Sequence, residues 1–111
     1  MPKRDDILLL NDIIENVENI FEFTNDKTYE EFIKDKMRVF AVIRCFEVIG
    51  EAANFFSIDT KEKFPHVEWR MMADFRNILI HNYFGIDYEV VWQAISESLP
   101  YNYKLLKQIK L

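Results

Sequence analysis

Apolar residues recur at helical spacing in the first segment of the chain. From about Asp5 to Phe23 they fall every three or four residues, which predicts an amphipathic helix: Ile7, Leu10, Ile14, Val17 and Phe21. A polar break follows at 24–27. Thr28 and Glu31 then have the spacing of a capping box, in which each side chain bonds the backbone amide of the other. They predict the start of a long second helix that reaches about Phe55.

The second predicted helix is apolar nearly all round between Val39 and Ala53. Its main interruptions lie on one narrow line, at spacing i, i+3 and i+7: Arg44, Glu47 and Glu51. A helix that is apolar on most sides is buried on most sides. We therefore expect burial in the bundle and also in a subunit interface. Gly50 is expected to mark either the close approach of another backbone or a mild bend.

The rest of the chain reads as further helices with short connections. We expect a loop over 57–67, a third helix over 68–84 that Gly85 ends, and a fourth over 87–98 that Asp87 caps. Pro100 then separates a short C-terminal helix that carries Lys104, Lys107 and Lys110. Four or five helices with short connections indicate an all-α, up-and-down bundle in one domain, 1–111.

Composition supports this fold class and adds an expectation about assembly. Two Gly and three Pro in 111 residues are too few for a many-stranded β protein with tight turns. Half of the residues are hydrophobic, including ten Phe. So much apolar surface in a short chain favours an oligomer, because exposed apolar patches usually mark interfaces.

Charge and cysteine use narrow the functional classes. The formal net charge of −5 disfavours non-specific nucleic-acid binding, although a locally positive cleft remains compatible with it. No metal-binding or phosphate-loop motif is present, so any hydrolysis is expected to be metal-independent and to need no cofactor. The single Cys45 is expected to be a buried structural thiol. With neither a signal peptide nor a membrane span evident, we expect a cytoplasmic protein.

The segment from Arg76 to Tyr83 carries the candidate chemistry, because Arg76, His81 and Tyr83 form an R-x4-H-x-Y pattern. Residues one helical turn from Arg76 on either side are apolar, and a cation in an apolar stripe usually has a partner or a task. A guanidinium, an imidazole and a phenol in one short segment make a plausible site for handling phosphate.

A helical projection divides this segment into two faces. Arg76 and Tyr83 share one face, whereas His81 lies about 140° from Arg76. His81 instead continues a polar row: Arg70, Asp74 and Asn77. Either the helix deforms near its end or a second copy of the chain completes the site, so the spacing favours a composite site across a dimer. Asn77, one turn before His81, is expected to orient the imidazole.

Structural interpretations of the same residues remain open. Arg76 would also suit a buried ion pair with Glu47 or Glu51, and His81 with Asn77 would suit a solvated helix face. Tyr83 alone would be an ordinary residue at a helix end. His66, which follows Pro65 in the predicted loop, is interpreted as a surface residue. The acidic residues of the first helix are interpreted as a solvated face: Asp12, Glu15, Glu18 and Glu22.

The pattern Arg76-Asn77-x-x-x-His81-x-Tyr83 resembles that of the HepT toxins of the HEPN superfamily. Two flanking segments extend the likeness, Ile49-Gly50-Glu51-Ala52 upstream and Gly85-x-Asp87 downstream. The resemblance implies a homodimeric RNA-cleaving toxin of a type II/VII-like toxin–antitoxin pair, with Arg76 and His81 catalytic. It also implies a MntA-type nucleotidyltransferase antitoxin that transfers AMP to Tyr83.

A rival hypothesis is a non-catalytic helical module that dimerises and binds a nucleotidyltransferase; the negative net charge is its best support. A plain structural bundle is a third interpretation, but it leaves the apolar setting of Arg76 poorly explained. The sequence leaves open which RNA is cut, whether dimers associate further and whether the antitoxin binds stably.

Overall fold

A computed structural model describes residues 2–79 and 85–111, except for the side chains of residues 2–4, 76, 78 and 79. The described elements are helical: α1 Pro2–Thr24, α2 Tyr29–Lys34, α3 Lys36–Phe55, α4 Ile58–Lys63, α5 Trp69–Leu79, α6 Tyr88–Gln93, a π-helical turn Ala94–Ser98, and α7 Leu99–Leu106. The all-α prediction is confirmed for this part of the chain. None of the described helices is both long and apolar enough to cross a membrane.

The three longest helices run alternately up and down. Ser57, just past the end of α3, bonds Asp6 near the start of α1, so α1 and α3 are antiparallel. Helices α3 and α5 are also antiparallel, because Phe46 stacks on Phe75 at 4.9 Å and Phe56 on Trp69 at 4.5 Å between ring centroids. The predicted up-and-down arrangement is therefore confirmed for these helices.

The core lies where the apolar stripes of α1 and α5 meet α3. Fully buried side chains come from α1 and α3 in particular: Ile13, Val17, Ile20, Val42 and Ala53. Cys45 is buried as expected, and burial raises the pKa of its thiol. The pairing of α3 with helices on two of its sides explains its nearly all-round apolar sequence.

Gly50 marks the closest contact between α3 and α5. A β-carbon on Gly50 would lie 2.8 Å from the Met72 carbonyl oxygen, nearer than real carbon atoms come. Only a residue without a side chain allows this approach. The close approach expected at Gly50 is therefore confirmed.

The predicted second helix is interrupted, which corrects its expected span. The predicted capping box is present. The Thr28 hydroxyl accepts from the Glu31 amide at 3.1 Å, and the Glu31 carboxylate accepts from the Thr28 amide at 2.9 Å. Asp35 then adopts an extended conformation, with φ −102° and ψ 90°, and its carboxylate caps α3 by accepting from the Arg38 amide at 3.1 Å. An Asp side chain that bonds nearby amides competes with the helix, and apolar periodicity does not reveal this.

Two further boundaries differ from the sequence predictions. The expected loop over 57–67 contains α4, which begins because the Ser57 hydroxyl accepts from the Thr60 amide at 3.2 Å. Pro100 does not separate two helices. The Leu99 amide donates to the Ala94 carbonyl five residues earlier, and this π turn leads directly into α7. Pro100 thus sits in the first turn of α7, where a missing N–H is tolerated.

Gly85 and Asp87, which follow the motif helix in the chain, have the roles that the sequence predicts. Gly85 has φ +84°, the left-handed region that glycine favours. Asp87 caps α6 by accepting from the Val90 amide at 3.2 Å. The predicted end of the motif helix, within 80–84, lies outside the described residues.

Candidate functional site

Helix α5 carries the beginning of the R-x4-H-x-Y motif. The backbone of Arg76 lies within α5, and its side chain is outside the description. His81 and Tyr83 also lie outside the described residues. Their catalytic and modification roles, and the division of the motif between two helix faces, therefore stay predictions.

The polar row that leads to the motif histidine faces solvent. Asn77 is exposed, and Arg70 pairs with Asp74 at 3.6 Å from Nε to Oδ2, both side chains being mostly exposed. Met72 and Phe75 on the other side of α5 are buried. The predicted polar row is confirmed for these three members.

The outer face of α3 combines charged and apolar side chains. Arg44 and Glu51 are exposed and Glu47 is partly exposed, so the predicted line of interruptions does point away from the core. Three large apolar side chains share this face and are 85 %, 60 % and 64 % exposed: Met37, Phe40 and Phe55. Of these three only Phe40 lies in the Val39–Ala53 stretch, and it is not buried within the single chain; its burial in a subunit interface stays a prediction.

A pocket of about 340 Å³ lies between α3 and α5. Its described lining consists of Glu47, Gly50, Glu51, Asn54, Phe55, Ala73 and Asn77. The small residues Gly50 and Ala73 lie where the two helices touch. The pocket brings Asn77, which directly follows Arg76, together with two carboxylates of α3.

Sequence reasoning identified Asn77 and both carboxylates, but it missed Asn54 and Phe55. A usable signal was present, because Asn54 continues the line of Glu47 and Glu51 at i+7 and i+3. Phe55 was counted as the apolar end of a helix, and only the fold shows that its ring is exposed beside the pocket.

The pocket is negatively charged at its described surface. Glu47 and Glu51 lie one helical turn apart, and the described lining residues include no cation. Arg44 pairs with Glu47 only loosely, at 3.9 Å, and most of its side chain is in solvent. An ion pair of Arg76 with either glutamate stays a prediction, since the Arg76 side chain is outside the description.

The remaining candidate residues behave as surface residues. His66 is exposed, and so are the four acidic residues of α1 that the sequence assigns to a solvated face, Asp12, Glu15, Glu18 and Glu22. Among the described residues no group of three or more His, Cys, Asp and Glu side chains is arranged to hold a metal ion.

The family described as Ribonuclease HepT-like matches residues 13–109. The chain belongs to this family. The HepT-like assignment confirms the resemblance carried by the motif and its flanks, and with it the HEPN-like fold. No solved structure matches the chain.

Several relatives are similar to this HepT-like chain over nearly their whole length. A Methanocaldococcus jannaschii protein, named as a provisional RNase, is 47 % identical over 100 % of this chain and 99 % of its own. A second protein from that organism, named in the same way, is 47 % identical over 98 % of this chain and 90 % of its own. A Thermococcus cleftensis protein named "Probable ribonuclease HepT" is 46 % identical over 82 % of this chain and 83 % of its own.

Proposed function

We propose that this HepT-like protein is a metal-independent endoribonuclease and the toxin of a type II/VII-like toxin–antitoxin pair. One observation carries the proposal: membership of a ribonuclease family along almost the whole chain, together with an intact set of Arg76, His81 and Tyr83. The names of the relatives support the same activity.

The motif residues suit RNA cleavage because RNA supplies its own nucleophile, the 2′-hydroxyl. The His81 imidazole transfers the proton, a role that suits a histidine side chain and is typically worth about 10²–10⁴-fold in rate. The Arg76 guanidinium, always charged and forked, binds the negative charge that develops on the phosphate. Asn77 supports the site by orienting the His81 imidazole with its side-chain amide.

The proposed site is composite and is shared by two chains of a homodimer. One His81 cannot act as base and acid in the same step, whereas two copies divide the roles. The helical projection, which separates Arg76 from His81 by about 140°, supports this division. The exposed side chains of Met37 and Phe40 offer an apolar surface for a second copy.

Regulation is proposed to act through Tyr83. A MntA-like nucleotidyltransferase antitoxin transfers AMP to its hydroxyl, which adds bulk and a negative phosphate on the helix face that it shares with Arg76. The phosphate then pairs with the Arg76 guanidinium, and the added group blocks the entry of RNA.

The cleavage test compares the wild type with Arg76→Ala and His81→Ala on single-stranded RNA in EDTA. We expect cleavage by the wild type and a loss of at least about 100-fold in each variant. Glu15→Gln, an exposed substitution on α1, is the matched control and should cleave normally. Cleavage that survives either motif substitution contradicts the mechanism, and cleavage that requires added metal contradicts metal independence.

The composite site is tested in heterodimers of one wild-type and one His81→Ala subunit. Such a dimer keeps both guanidinium groups but only one imidazole, so it should lose nearly all activity if two His81 copies divide the roles. Activity equal to that of one intact site contradicts this division. A strictly monomeric mass in solution contradicts the shared site. For Tyr83, incubation with the nucleotidyltransferase and ATP should add one AMP to the wild type and none to Tyr83→Phe.

The second candidate function is a non-catalytic helical partner of a nucleotidyltransferase. It is favoured by the acidic lining of the pocket beside Asn77, since Glu47 and Glu51 repel a phosphate backbone. A wild type that dimerises and binds the nucleotidyltransferase, but cleaves no RNA with or without metal, would establish this alternative.

A further inference from the structure

The pocket between α3 and α5 has the form of a small-ligand site. Its volume of about 340 Å³ lies at the lower end of the range for such sites, roughly 300–1,000 Å³. Gly50 and Ala73 provide a floor without bulky side chains. Longer polar side chains and one aromatic ring stand around it: Glu47, Glu51, Asn54, Asn77 and Phe55.

The charge of the lining selects against a phosphate group in this pocket. A phosphate within hydrogen-bonding distance of Glu47 or Glu51 meets direct repulsion, and no cation among the described lining residues offsets it. A neutral group that donates hydrogen bonds is attracted instead. In a chain that handles RNA, such a group is a nucleobase.

The two carboxylates discriminate among the four bases. A carboxylate accepts two hydrogen bonds at once, and the Watson–Crick edge of guanine presents two adjacent donors, N1–H and the N2 amino group. Adenine, cytosine and uracil do not present two adjacent donors on that edge, so none of them pairs with a carboxylate through two hydrogen bonds. The amide groups of Asn54 and Asn77 can donate to the guanine O6 and N7 acceptors.

Phe55 supplies the apolar part of the recognition. Its ring is 64 % exposed although it borders the pocket. Proteins that bind single-stranded RNA commonly stack a splayed base on an exposed aromatic ring. A base in this pocket therefore has a stacking surface beside its hydrogen-bonding groups.

We propose that this pocket binds guanine in single-stranded RNA and directs cleavage to an adjacent phosphate. The proposal rests on the proposed ribonuclease function, because Asn77 places the pocket next to Arg76 in α5. Glu47 and Glu51 act as specificity-determining residues in this arrangement, and Phe55 acts as the stacking platform.

Binding of mononucleotides tests the pocket without any need for cleavage. Calorimetric titration of the wild-type protein with GMP, AMP, CMP and UMP should show the tightest binding for GMP. The double substitution Glu47→Gln/Glu51→Gln should reduce the preference for GMP over AMP by roughly 5- to 150-fold, the range for one bidentate contact. Glu15→Gln, on the far surface of α1, is the matched control and should keep the preference.

The stacking surface has its own matched control. Phe55→Ala should weaken the binding of GMP by about 5-fold or more, as for the loss of one base–aromatic stack. Tyr101→Ala removes an exposed ring of α7 that does not line the pocket, and it should bind GMP as the wild type does. Equal binding of the four nucleotides, or equal effects of these two substitutions, overturns the guanine site.

Cleavage mapping on an RNA of random sequence distinguishes this site from a structural role of the glutamates. The wild type should favour cuts beside guanine, and Glu51→Gln should lower the ratio of cuts at guanine to cuts at other bases. A uniform fall at all bases, with the ratio unchanged, means that the carboxylate merely positions Arg76 and overturns the proposal. A wild type that binds GMP selectively but cuts no RNA refutes the ribonuclease function and leaves the guanine site standing.

Discussion

Replacing Asp6 by alanine removes the acceptor that joins the start of α1 to the end of α3. The Asp6 carboxylate is 1 % exposed and accepts from the Ser57 amide at 3.0 Å and from the Ser57 hydroxyl at 2.6 Å. It also accepts from the hydroxyl of Thr60, which is itself buried. The substitution leaves these three donors without their acceptor in a site with little access to water.

The expected loss of stability follows from these contacts. A hydrogen bond to a charged group contributes about 1.5–3 kcal/mol, and contributions within one network are not additive. We expect Asp6→Ala to lower the free energy of unfolding by about 2–4 kcal/mol. At about 4 °C per kcal/mol for a domain of this size, the melting temperature should fall by about 8–16 °C.

The same carboxylate makes the effect depend on pH. Burial raises the pKa of Asp6, but the hydrogen bonds from Ser57 and Thr60 outweigh that penalty and hold the pKa below its ordinary value of 3.8. A group with a lowered pKa in the folded state stabilises the fold fully above its unfolded pKa. Its contribution is lost as pH falls through the folded pKa. The stability gap between wild type and Asp6→Ala should therefore be constant above about pH 5 and should narrow as pH falls below that value and through the folded pKa.

The assay is thermal and urea denaturation followed by circular dichroism at several pH values. Asp12→Asn, an exposed substitution on the same helix, is the control and should change stability by less than about 0.5 kcal/mol. A loss for Asp6→Ala as small as that of the control, or a gap that stays constant with pH, would falsify the assignment of Asp6 as the joint between α1 and α3.

Three further predictions concern the packing. Gly50→Ala should lower the free energy of unfolding by about 1–3 kcal/mol, because the added methyl group meets the Met72 carbonyl oxygen. An unchanged midpoint of urea unfolding contradicts the close approach of α3 and α5. Asn102→Ala should lower the free energy of unfolding by about 2–3 kcal/mol. The buried Asn102 side chain accepts a hydrogen bond from the Glu68 backbone amide and donates one to the Glu68 carboxylate, both at 2.9 Å. A thermal melt that matches the wild type argues against these hydrogen bonds. The Cys45 thiol, buried and with a raised pKa, should react with a disulfide reagent at pH 8 only after unfolding in guanidinium; rapid reaction of the native protein contradicts its burial.

Local signals in the sequence were sufficient for the helical fold class and for two of the helix starts. Thr28 and Asp87 cap helices as predicted, because a cap depends on side chains and amides only two or three residues apart. The apolar spacing in α1 predicted the helix but only part of its buried stripe. Leu10 and Val17 are buried as predicted, whereas Ile7 is 43 % exposed, and the fully buried Ile13 and Ile20 each precede a predicted position by one residue. The motif of Arg76, His81 and Tyr83 identified the family from adjacent residues, independently of the fold.

Interactions between distant residues decided what the sequence could not. Nothing near Pro100 reveals that a π turn carries the chain into α7, and nothing near Asp6 reveals its bonds to Ser57 and Thr60 across more than fifty residues. The same holds for the pocket, since Asn77 and the glutamates of α3 belong to separate helices. Sequence alone thus determined the helical fold class, the family and the candidate catalytic residues, because these depend on short-range patterns. Tertiary structure alone determined the pocket beside Asn77, because it exists only where Gly50 lets α3 and α5 touch.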